Sequence, residues 1–143
     1  MNWVVGTIVV PSDGSNAADV QLASARALAR ATGARIVVAH VTQPDSGDRR
    51  AHSMHAHAGA QEACVRGQVD DLRGMGVRAE LEILASAGDL ARAIAETARN
   101  RDADLIVTRQ GRGGALRGGP SGDVARRLIQ LAPCPVLVVP RAA

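Results

Sequence analysis

The sequence predicts an α/β fold: five parallel strands in one sheet, with helices on both faces. Three observations carry this. Short apolar runs alternate strictly with longer segments of helical period, in the order β-α-β-α-β-α-β-α-β. The run VVGTIVV at 4–10 is continuous and β-branched, as strands covered on both faces are. The chain has 143 residues, 46% apolar and 22% charged, a globular composition sufficient for one domain spanning 1–143.

The elements follow in order. Pro11 stops the first strand, and Ser12-Asp13-Gly14-Ser15 is turn chemistry. Residues 16–32 predict a helix with Val20, Ala23, Ala27, Leu28 and Ala31 on one face and Gly33 as its C-cap. The second strand is RIVVAHV at 35–41. Residues 42–58 are polar and aperiodic, longer than most connections, and read as a mobile loop. A helix at 59–74 buries Val65, Val69 and Leu72 and ends at Gly74 and Gly76. Residues 77–84 alternate, with Val77, Ala79, Leu81 and Ile83 opposite Arg78, Glu80 and Glu82, the pattern of an edge strand with one wet face. Gly88-Asp89 opens a helix whose inner face is Leu90, Ala93, Ile94, Thr97 and Ala98. Strand four is DLIVT at 104–108, and a Gly- and Arg-rich stretch fills 109–121. A helix at 122–131 carries Val124, Leu128 and Leu131, and PVLVV at 135–139 is the fifth strand.

Composition excludes several chemistries. All 17 basic side chains are Arg. Without Lys there is no Walker-A phosphate loop and no Schiff-base or pyridoxal chemistry. Trp3 is the sole aromatic, which argues against a protein that stacks nucleobases on aromatic platforms. The net charge is only +3, so the basic pI reflects Arg without Lys, and no nucleic-acid partner is expected. Cys64 and Cys134 are too few for a disulfide framework. No apolar run approaches the roughly 18 residues of a membrane span, and no basic n-region precedes the first strand. The reading is a cytoplasmic protein without membrane association.

In parallel sheets of this kind ligands sit beyond the carboxyl ends of the strands. That singles out the loops at 11–16, 41–45 and 108–122. Six of the 15 glycines lie from Gly111 to Gly122. Glycine backbones can turn N–H groups onto an anion, the next helix N-terminus adds its dipole, and Arg109, Arg112 and Arg117 add charge. A flexible surface loop is the alternative. His52, His55 and His57 form H-x2-H-x-H, but nothing beside them suggests fixed geometry or supporting hydrogen bonds. They read as a solvated loop, and no metal is expected beyond nucleotide-associated Mg.

The segments IVVPSDGS at 8–15, HV at 40–41, GDLARAIAETARNRDADLIV at 88–107, GDVARRL at 122–128 and APCPVLVVP at 132–140 together resemble the universal stress protein family, end to end. The resemblance implies strand order 3-2-1-4-5 and an adenine-nucleotide crevice, for ATP or AMP, between strands one and four. Asp13 matches the family's acid after strand one and would hydrogen-bond the adenosine, with Pro11 and Val41 lining the base. Ser12 and Gly14 complete that end. Alternatively, Asp13 is an Asx-turn residue organising PSDGS. At the phosphate end the implied residues are Arg109, Gly111, Arg112, Gly113, Gly122, Asp123 and Val124.

That end departs from the family's G-x2-G-x9-G-[ST] pattern. Arg109 and Arg112 stand on the first two glycines, and Asp123 stands on the hydroxyl residue. An ionised carboxylate only accepts hydrogen bonds and repels phosphate, so Asp123 instead favours the N-terminus of the last helix. Two readings follow. One is a stress-response binding module with a degenerate phosphate motif; the other is a nucleotide-independent protein-interaction module, with partners the sequence does not name. No catalytic constellation is present, so any ATPase activity would be very slow. A flavodoxin-like or phosphoacceptor domain is disfavoured by the missing aromatics and Lys. The resemblance also implies a homodimer through the last strand, Pro135, Val136, Leu137, Val138 and Val139, whose charge-free edge is a hazard unless covered.

Overall fold

The computed structural model describes residues 3–42, 51–86, 88–111 and 124–141, with the side chains of 51–58 outside that description. The elements are β1 (Thr7–Pro11), a 3₁₀ turn (Asn16–Ala18), α1 (Asp19–Thr32), β2 (Arg35–Thr42), α2 (Ala51–Gly74), β3 (Ala79–Ala85), α3 (Leu90–Asn100), β4 (Leu105–Arg109), α4 (Val124–Leu131) and β5 (Val136–Val139). All four pairings are parallel, and the order is β3-β2-β1-β4-β5. The predicted fold class is therefore the observed one.

Both faces of the sheet are covered, which is why its central strands read as continuous apolar runs. Side chains alternate between the two layers with period two. Ile8, Val10, Ile36 and Val38 pack against Leu22 of α1 and Val65, Val69 and Leu72 of α2. Val9, Val37, Ala39 and Ile106 pack against Ile94 of α3 and Leu128 of α4.

Several expectations are corrected. β1 begins at Thr7 rather than residue 4, and Trp3 and Val4 are 61% and 73% exposed. The chain joins the sheet only where the Asp104 carboxylate accepts from the Gly6 and Thr7 amides, at 2.8 and 3.1 Å. Pro11 is the last residue of β1, paired with Ala39, a terminal place that its missing N–H permits. The buried face of α1 is Gln21, Leu22, Ala25 and Ala29, while Ala23, Ala27 and Ala31 are exposed. Alanine surrounds this helix, so its weak periodicity did not mark the inner face.

The expected loop at 42–58 and the helix start at 59 are both revised. Thr42 ends β2, α2 already runs from Ala51, and 43–50 lie outside the described residues. Ala51, Met54, Ala56 and Ala58 are good helix formers, and extending an existing helix needs no new nucleus. On β3, Ile83 is exposed, while Leu84, on the face expected to be wet, packs into the second layer. Arg101 covers that face, donating to Glu80 and Glu82 at 2.7 and 3.0 Å. On α3, Ala91 and Ala95 are buried in place of Leu90 and Ala93, because Leu90 turns toward the crevice described next. Gly33 caps α1 with φ 78°, as predicted.

Candidate functional site

A cavity of about 440 Å³ opens where β1 and β4 end and their loops diverge. Its apolar walls are Pro11, Ala39 and Val41 from the sheet, Leu90 and Ile94 from α3, and Val124 and Ala125 from α4. Ser12, Asp13, Gln21, Thr108, Arg109 and Gly111 supply the polar lining. A mostly apolar cleft with a few convergent polar groups is the usual make-up of a small-molecule site.

The loop after β1 is shaped by its own side chains. The Ser12 amide donates to the Ala39 carbonyl at 3.0 Å, carrying the ladder one residue past Pro11. The Ser12 hydroxyl donates to Gln68 Oε1 at 2.5 Å and accepts from the Gly14 amide at 3.1 Å. Gln68 Nε2 donates to the Ser15 carbonyl at 3.2 Å, so α2 clamps the loop from behind. His40 Nδ1 lies 3.0 Å from the Ser12 carbonyl, which only accepts, so this nitrogen carries the proton. Gly14 has φ +81°, and a Cβ there would lie 2.7 Å from the Gln61 carbonyl. No other residue fits this close approach without displacing α2.

Of the two roles weighed from the sequence for Asp13, the Asx turn is present, and it occupies one carboxylate oxygen. Its Oδ1 accepts from the Ser15 amide at 2.9 Å and the Ser15 hydroxyl at 2.5 Å, an Asx turn. Its Oδ2 faces the Arg109 guanidinium at 3.4 Å. Burial acts to raise the Asp13 pKa, but the Ser15 hydroxyl and amide and the Arg109 charge together outweigh it, and the net shift is downward. Asp13 is thus an ionised acceptor. Arg109 contributes a cation at the end of β4, and its Nη1 is buried with no partner among the described residues.

The walls are held by a second ion pair. Asp89 caps α3, accepting from the Arg92 amide at 3.2 Å, and pairs with Arg127 of α4. The Arg127 guanidinium is the main cause of the lowered Asp89 pKa, against a smaller opposing effect of desolvation.

The cavity thus brings together seven residues expected from the sequence: Pro11, Ser12, Asp13, Val41, Arg109, Gly111 and Val124. Gly14 shapes the loop behind it. Arg112, Gly113, Gly122 and Asp123 lie outside the described residues. Gln21, Ala39, Thr108, Leu90, Ile94 and Ala125 were not anticipated. Thr108 was findable as the inward neighbour of Arg109 on β4; Gln21 was hidden on a helix face expected to point elsewhere. Among the described residues no group of three or more His, Cys, Asp or Glu side chains converges as a metal site, and the side chains of His52, His55 and His57 are not described. Among the same residues no helix is long and apolar enough to cross a membrane.

Known proteins resemble this chain in sequence and in fold. The family model described as "Universal stress protein family" matches residues 5–140. A protein from that family from Burkholderia pseudomallei is 28% identical, with 95% of this chain and 96% of that chain covered and a TM-score of 0.69. A universal stress protein from Archaeoglobus fulgidus is 26% identical, covering 95% and 94%, with a TM-score of 0.71. A structure of the Archaeoglobus fulgidus universal stress protein in complex with dAMP is 23% identical, covering 96% and 99%, with a TM-score of 0.67. No curated protein sequence matches the chain at significance.

Proposed function

Because the chain belongs to the universal stress protein family, we propose that it is a nucleotide-binding regulatory module whose crevice takes adenine nucleoside monophosphates ahead of ATP. The observation that carries this is the Asp13–Arg109 pair across the mouth of the cavity, at 3.4 Å. Asp13 offers acceptor oxygens to the hydroxyl or amine donors of a nucleoside. Arg109 stands where the family's phosphate pattern has glycine, and it offers a guanidinium to one phosphate. The dAMP held by the Archaeoglobus fulgidus relative supports a monophosphate. Asp123, which replaces the hydroxyl residue, accepts but cannot donate and repels the extra charge of a triphosphate.

The module binds rather than turns over its ligand. Among the described lining residues Asp13 is the one carboxylate, and a carboxylate held at a lowered pKa is a weak general base. Calorimetry with adenosine, AMP and ATP tests the reading. AMP binds more tightly than ATP, and Asp13→Ala weakens all three ligands. Tight ATP binding that Asp123→Ser leaves unchanged refutes the altered phosphate end.

The proposed assembly is a homodimer through β5. This outer strand pairs on one side with β4, while Leu137 is 40% exposed and Ile129 of the adjacent α4 is 62% exposed. A charge-free outer strand is a template for pairing with a second copy.

A further inference from the structure

Gln21 lies on α1, is 3% exposed and lines the crevice. One partner fixes its carboxamide. The Pro11 carbonyl only accepts, so the end of the amide that meets it, at 3.0 Å, is the Nε2 donor. The other end is Oε1, which is out of contact with solvent and has no donor among the described residues. Buried acceptors are nearly always paired. A position that served packing alone would carry an apolar side chain, as Leu22, Ala25 and Ala29 do on the same helix face. A second orphan of opposite polarity, Arg109 Nη1, belongs to the same lining. A ligand that satisfies both carries an N–H or O–H donor together with an anionic oxygen.

Resting on the nucleotide reading above, we propose that Gln21 is a specificity-determining residue of the crevice, its Oε1 accepting a hydrogen bond from the adenine amine or a ribose hydroxyl of a bound adenine nucleotide. A site with a buried acceptor rejects an analogue that lacks the matching donor, because the acceptor then stays desolvated and unpaired.

The test is a binding cycle read by calorimetry. AMP, IMP, 2′-deoxy-AMP and 3′-deoxy-AMP are titrated into wild type and Gln21→Met, which keeps length and volume but removes both hydrogen-bonding ends. Wild type should prefer AMP by about tenfold over the one analogue that lacks the donor. Gln21→Met should lose about tenfold for AMP and bind that analogue as wild type does. IMP as the rejected analogue assigns the donor to the amine, and a deoxy analogue assigns it to the corresponding hydroxyl. Wild type binding all four ligands within twofold overturns the proposal without recourse to any variant. Equal weakening of all four in Gln21→Met also overturns it, leaving Gln21 only as a brace for Pro11. If wild type binds neither AMP nor adenosine, the nucleotide reading falls as well.

Discussion

Replacing Arg109 by Ala separates the charge at the end of β4 from the rest of the crevice. In the free protein the substitution removes a pair at 3.4 Å whose side chains are 31% and 50% exposed. Coulomb attraction at that distance is about 5 kcal/mol at an effective dielectric of 20 and about 1 kcal/mol in water. With half of Asp13 in solvent the lower figure governs, consistent with about 0.2–1 kcal/mol for exposed pairs. The unfolding midpoint should therefore drop by no more than about 2–4 °C for a chain of this size. Bound nucleotide changes the balance. A charge-assisted bond from Arg109 to a phosphate oxygen contributes about 1.5–3 kcal/mol, and redirecting the guanidinium from Asp13 costs up to about 1 kcal/mol. The net effect is about 1–2 kcal/mol, or roughly five- to thirtyfold in Kd. Calorimetry on wild type and Arg109→Ala should show that loss for AMP and none for adenosine, which has no phosphate. Equal losses for both ligands, or no loss for AMP, would refute the assignment of Arg109 to the phosphate.

Four further outcomes are expected. Val138→Arg puts a charge on the outer strand and should give monomers or insoluble protein, whereas wild type sedimenting as a monomer at tens of micromolar contradicts the dimer. Gly14→Ala forces a side chain into φ +81° and against the Gln61 carbonyl, so denaturant unfolding should show a loss of at least about 1–2 kcal/mol. Asp13, Glu80 and Asp89 all have pKa values lowered from the ordinary carboxylate values of 3.8, 4.5 and 3.8. Their stabilisation is full above those unfolded values and is lost as pH falls through the folded ones, so melting temperatures should stay level from pH 7 to about 5.5 and fall below about 4.5, with a shallower fall in Glu80→Gln. Maleimide should label exposed Cys64 well before Cys134, whose thiol is pushed up in pKa by burial and by the Asp104 charge; equal rates would contradict that placement.

The sequence by itself determined the order of the elements and the class of sheet. The runs 35–41 and 135–139 and the face Val65, Val69 and Leu72 are local patterns, and covering both sides of a parallel strand leaves a continuous apolar run that needs no partner to be recognised. Gly33 announced its helix end for the same local reason. Half of the site was legible as well, because Pro11, Ser12, Asp13 and Gly14 form one turn. Tertiary structure decided the rest. An alanine-rich α1 carries almost equal apolar character on every side, so only docking against β1 and β4 chose its inner face and buried Gln21 there. Nothing local links Asp13 to Arg109, which lie 96 residues apart. They meet because β1 and β4 are neighbours in the sheet and end at the same edge, and that adjacency follows from how four crossover connections pack, not from the residues at either end.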